Sequence, residues 1–97
     1  MEREDFIVVH QFCIHHTIEP GFIHLLVEHS IIEVVEWEET FYFHLDYLEI
    51  VEKMIRLHVD LSINMEGLAV IFQLLETNQD LQEELKMAKN RLRLFEP

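Results

Sequence analysis

Cys13, His15 and His16 fall within four consecutive positions, and Glu36, Glu38 and Glu39 within another four. A thiol beside two imidazoles suggests a zinc site or an activated nucleophile, and clustered carboxylates suggest general acid–base chemistry. Each suggestion fails on geometry. Zinc needs three or four convergent ligands, whereas neighbours on a helix point about 100° apart, so His15 and His16 do not share an ion. His10, His24, His29, His44 and His58 show no paired ligand spacing. No Gly-rich oxyanion loop accompanies Cys13, which suits a small apolar core position instead. Glu36, Glu38 and Glu39 fall in a surface hairpin, where carboxylates stay solvated. With no phosphate-binding glycine loop either, the chain reads as a binding protein rather than an enzyme, with no metal and no cofactor.

Charge distribution narrows what it binds. From Glu4 to Glu52 the chain has no Lys or Arg against eleven Asp or Glu, and its net charge is −12. The same stretch is patterned as a helix-turn-helix followed by a β-hairpin wing, an architecture used to read DNA. Duplex DNA is held through Lys and Arg that displace its counterions, so a stretch of eleven carboxylates without fixed cations is repelled by it. A basic protein surface is the expected partner, and a DNA-binding transcriptional regulator is the weaker alternative. Lys86, Lys89, Arg91 and Arg93 form a basic cluster near the C-terminus, where cations complement the negative end of a helix dipole.

The elements that position these residues follow from periodicity. Phe6 to Val9 is a β-branched lead-in strand, and His10 to His16 a short helix with Phe12, Cys13 and His16 about one turn apart. Thr17–Glu19 makes the turn, and Pro20 opens a second helix at the position where proline is best tolerated. That helix runs to His29, with Phe22, Leu25 and Leu26 on its apolar face. Val34 to Phe43 alternates as a hairpin, with Val35, Trp37, Phe41 and Phe43 on one face and Glu38-Glu39-Thr40 at the turn. Trp37 and Tyr42 read as cross-strand residues, with recognition anchors as their second role. Asp46 is placed as the cap of a third helix reaching Leu61. Its two apolar stripes, Tyr47-Ile50-Met54-Leu57-Leu61 and Leu48-Val51-Ile55-Val59, predict burial between two neighbours.

Asn64 caps a last helix that continues to Phe95, with Gly67 and Ala69 allowing close packing. From Ile71 it reads as heptads, with Ile71, Asn78, Leu85 and Leu92 at a and Leu74, Leu81, Ala88 and Phe95 at d. An interior Asn at a, and Glu84 at g facing Lys89 at the partner's next e, predict a parallel coiled-coil homodimer. The organisation is thus an acidic head, residues 1–63, plus a dimerising helix, residues 64–97. A single cysteine excludes an internal disulfide. Met1–Asp5 lacks a cationic leader and no apolar run reaches about 18 residues, so a cytoplasmic protein without membrane contact is expected.

Taken in order, these elements resemble the CbpM family of chaperone modulators. The likeness rests on Gln11-Phe12-Cys13-Ile14-His15, Ile31-Ile32-Glu33, Ile55–Leu61 with Met65–Val70, and Asn90-Arg91-Leu92-Arg93-Leu94-Phe95. Thr17 departs from it, since a small turn residue such as glycine is more usual there. The resemblance implies a mainly α fold, a MerR-like winged helix-turn-helix head with a long C-terminal helix. It also implies an activity: binding the J-domain of a DnaJ/CbpA-like co-chaperone and inhibiting it. A J-domain stimulates an Hsp70 (DnaK) through a His-Pro-Asp loop and a basic second helix, so an occupant of that helix competes with the chaperone. Charge and expected exposure make Glu28, Glu36, Glu38, Glu39, Glu49, Glu52 and Asp60 the candidate contacts.

Overall fold

A computed structural model describes residues 3–95, with the side chains of Arg3 and Phe95 outside the described part. A 3-10 turn, Arg3–Asp5, leads into β1 (Phe6–Val8). Val9, expected to end that strand, instead opens α1 (Val9–His16) and is buried with Phe12 and Cys13. Pairing of β1 stops at Val8, so a helix beginning at Val9 loses no ladder hydrogen bonds. α2 (Pro20–Glu28) carries its proline in the first turn. The hairpin of β2 (Val34–Trp37) and β3 (Thr40–His44) follows, then α3 (Leu48–Leu61) and α4 (Met65–Phe95). β3 is the central strand of an antiparallel sheet ordered β1-β3-β2.

Phe43 shows how the layers meet. It lies fully buried on the central strand, with Phe12 of α1 packed edge-on at 5.1 Å. Ile23 and Leu26 of α2, Val51 and Met54 of α3 and Leu68 of α4 join the same core. Burial on α3 is confined to Val51, Met54 and Ile55, while Val59 and Leu61 are exposed, so the expected flanking by two neighbours does not extend over its last turn. The expected cap of α3 by Asp46 does not form. A 3-10 turn, Leu45–Tyr47, runs straight into the helix, and His44 takes the capping position, its Nδ1 accepting from the Asp46 N–H at 3.0 Å.

Three head helices end alike, without a glycine. Thr17, Ser30 and Ser62 adopt the left-handed conformation, with φ of 55°, 59° and 55°. The N–H of the next residue then reaches back across the last turn: Ile18 to the Cys13 carbonyl, Ile31 to Leu26 and Ile63 to Leu57. Each of these isoleucines packs in or against the core, the apolar contact that accompanies this kind of helix end. A hydroxyl residue followed by Ile is therefore the stop signal in this chain.

α4 begins as expected, with Asn64 Oδ1 accepting from the Gly67 N–H at 2.8 Å. A Cβ on Gly67 would lie 2.7 Å from Ile63 Cγ2, which is why the tight entry takes a glycine. Leu68 is buried, and Ile71, Phe72 and Leu75 pack partly against the core. From Glu76 to Leu94 every residue is exposed. Over its 31 residues α4 extends about 46 Å at 1.5 Å per residue, which makes the molecule 60 Å long.

Candidate protein-docking face

The residues that suggested chemistry are dispersed or spent on packing. Cys13 is buried in the core of α1, and burial pushes its thiol above the usual thiol range. His16 stacks on Phe12 with ring centres 4.1 Å apart, and His15 meets His16 edge-on at 5.0 Å. His58 places Nδ1 2.8 Å from the Ile63 carbonyl and its ring 5.1 Å from Phe22, tying the end of α3 to α2. Among the described residues no group of three or more His, Cys, Asp or Glu is arranged to hold a metal ion.

The hairpin corrects the expected face. Its turn contains two residues, Glu38 and Glu39, both with positive φ (50° and 63°), and it is closed by the Trp37–Thr40 pair. This is the primed turn that matches strand twist, built here from glutamates rather than Asn-Gly. With a two-residue turn, odd positions on β2 stand opposite even positions on β3. Val35 and Trp37 therefore share a face with Tyr42, whereas Val34 and Glu36 share the other with Phe43 and Phe41. Phe41 does not lie beside Trp37.

Phe43 buries its end of that second face, while Phe41, further out, stays 52% exposed. Across from it runs α2. Pro20, Ile23, His24 and Val27 with Val34 and Phe41 line a groove of about 460 Å³ whose walls are almost wholly hydrocarbon. Its edges are acidic. Glu36 pairs with Phe41, Glu19 precedes Pro20 at the N-cap of α2, and Glu28 lies 3.3 Å from His24. Periodicity along the chain missed this groove because its walls come from separate stretches, Val9 of α1, α2 and the hairpin. The signal available was an aromatic at position 41 with a glutamate to face it.

Of the candidate contacts, Glu28, Glu36, Glu38, Glu39, Glu49 and Asp60 are exposed and Glu52 is half-buried. They do not form one patch of equal character. Glu28 and the three hairpin glutamates sit on elements that carry no Lys or Arg, whereas α3 carries Lys53 and Arg56. Glu49 and Glu52 border a separate hollow with Leu45, Asp46, Leu48 and Arg56. Along α3 the spacing interleaves Lys53 and Arg56 with Glu49, Glu52 and Asp60, so two cations offset most of the charge of three acids on that helix. The stronger field for a cation comes from α2 and the hairpin.

On α4 the heptad residues Leu74, Leu81, Leu85 and Leu92 are each more than half exposed, while Ile71 is half-buried against the head. Asn78 and Ala88 are exposed on the same stretch. The Phe95 side chain lies outside the described residues. Among the described residues no helix is long and apolar enough to cross a membrane.

Comparison with known proteins accords with this architecture. Residues 7–90 match the family described as MerR HTH family regulatory protein. The chain is 30% identical over 86 residues to the chaperone modulatory protein CbpM of Salmonella paratyphi A, covering 88% of this chain and 85% of that protein. It is 28% identical, with the same coverage, to the chaperone modulatory protein CbpM of Escherichia coli. A head folded as a helix-turn-helix with a wing, an acidic surface unsuited to DNA and these relatives agree: the chain belongs to the MerR-type helix-turn-helix family and, within it, to the CbpM chaperone modulators.

Proposed function

We propose that this chain binds the J-domain of a DnaJ/CbpA-like co-chaperone and inhibits it, blocking productive engagement of Hsp70 (DnaK) in the cytoplasm. The observation that carries the reading is the cation-free face of α2 and the hairpin, on a frame whose usual ligand it would repel. A J-domain presents a basic helix, and a negative surface steers such a partner and raises its association rate. Glu28, Glu36, Glu38 and Glu39 supply most of that field, with Glu49, Glu52 and Asp60 adding to it from α3. No step requires a cofactor, a metal, a membrane or nucleic acid. The working form is a parallel homodimer, held by Leu74, Asn78, Leu81, Leu85, Ala88, Leu92 and Phe95 where α4 leaves the head at Ile71. Exposed leucines on a long free helix favour this pairing, because an isolated helix is marginal in water.

The test is binding to a purified J-domain at two salt concentrations. Affinity is expected to fall as salt rises, mainly through slower association, because exposed charges are screened beyond about 8 Å at physiological ionic strength. Reversal of Glu36, Glu39 and Glu49 to Lys should remove most binding with the far-ultraviolet spectrum unchanged. Equal binding by parent and triple variant overturns the acidic-face reading. A gel shift of random duplex DNA at low salt would instead favour a MerR-like transcriptional regulator.

A further inference from the structure

We infer that the groove between α2 and the hairpin is the anchor site for a cationic amphipathic helix. One apolar side chain of that helix enters between Ile23, Val27 and Phe41 while its Lys or Arg side chains meet Glu19, Glu28 and Glu36. This deepens the J-domain reading and rests on it for the identity of the helix. Two independent features of the site fix the partner's chemistry. The walls are hydrocarbon, with Phe41 left half exposed although Phe43, two residues along the same face, is completely buried. Three carboxylates adjoin its lining: Glu36 stands opposite Phe41 in the sheet, Glu28 reaches His24 in the groove wall, and Glu19 adjoins Pro20. No fixed cation occurs between Glu4 and Glu52 to neutralise them.

The combination discriminates. An acidic or neutral apolar helix would bury its hydrocarbon but face three carboxylates, and an anionic lipid surface or a polynucleotide would be repelled. A soluble basic peptide without apolar residues would gain only screened surface attraction, which is weak. A helix with an apolar stripe flanked by Lys and Arg satisfies both parts, in the manner of helix-in-groove recognition. At about 460 Å³ the groove holds side chains rather than a whole element, so the helix lies across its mouth. The two parts also leave different kinetic marks. Loss of the apolar anchor speeds dissociation, whereas loss of a rim charge slows association and flattens the salt dependence.

The experiment measures association and dissociation rates of the full chain with two probes, a purified DnaJ-type J-domain and an amphipathic Lys/Leu helical peptide. Phe41→Ala and Val27→Ala should raise the dissociation rate at least tenfold with association nearly unchanged. Phe41→Leu should retain binding, and Val35→Ala, on the opposite sheet face, should bind as the parent does. Glu36→Gln should reduce association and its salt dependence. If the J-domain binds parent and Phe41→Ala with equal rates, the groove inference is overturned and the J-domain reading stands. If the peptide binds in a Phe41-dependent way but the J-domain does not bind, the groove inference stands and the J-domain reading falls. Binding of neither probe overturns both. Because Phe41 is half exposed, its truncation leaves the core intact, which the far-ultraviolet spectrum and the unfolding midpoint would verify.

Discussion

Val51, Met54 and Ile55 of α3 lie inside the core cluster, whereas Leu81, Leu85 and Leu92 of α4, at comparable helical spacing, are each more than half exposed. Both runs are apolar and both are helical. What separates them is whether the chain itself supplies a partner. Phe43 of the sheet, Ile23 and Leu26 of α2 and Leu68 of α4 share one buried cluster with the three α3 residues. Beyond Leu75 α4 has left the head, and no other described part of the chain covers it. A periodic apolar stripe therefore states that a helix wants a neighbour, and only the fold shows whether that neighbour is internal.

The contrast is sharpened most by damage to the head. Phe43→Ala removes a fully buried ring from the central strand together with its edge-on contact to Phe12. A cost of about 3–5 kcal/mol is expected from lost burial and the cavity left behind. Urea unfolding measures it, with the denaturant slope unchanged. The same kind of change in distal α4 should leave the head folded. Leu81→Asp is expected to convert the proposed dimer to monomer in sedimentation at tens of micromolar while the near-ultraviolet signal of the head persists. A parent protein that is already monomeric under those conditions removes the coiled coil. In the same helix Asn78→Leu should raise thermal stability and loosen the choice of oligomer, since an apolar residue replaces an amide that sets register.

Smaller effects probe the turns. Thr17 is a β-branched residue held at φ 55°, a conformation that costs a non-glycine residue roughly 1–2 kcal/mol. Part of that is regained when Cβ is removed, so Thr17→Gly is expected to stabilise the head by about 1 kcal/mol in urea titration, offset by glycine's greater unfolded-state entropy. The family resemblance expected a smaller residue there, and the backbone supplies the reason. The slightest effect concerns Cys13. Burial raises its thiol pKa, so its contribution is fully present below the unfolded-state value and is lost as pH rises through the folded one. The stability difference between the parent and Cys13→Ala should therefore shrink in alkaline solution, as followed by unfolding midpoints at neutral and high pH.

Much of this architecture is written locally in the chain. Apolar periodicity places the helices and the hairpin, Pro20 and Asn64 mark helix starts, and the missing cations between Glu4 and Glu52 argue against DNA without any coordinates. These features depend on neighbours within a turn or two, or on composition, and so survive without tertiary information. Three others do not. The left-handed helix ends at Thr17, Ser30 and Ser62 carry no glycine to announce them, because the following isoleucine's packing in or against the core holds the conformation. The parity of the hairpin turn decides that Phe41 stands with Val34 and Glu36 and apart from Trp37, a choice no alternation pattern contains. The acidic-rimmed groove exists only because folding brings Pro20–Val27 against Val34 and Phe41. Sequence determined the charge and the stripes; packing across separate segments decided which apolar surface remained open beside that charge.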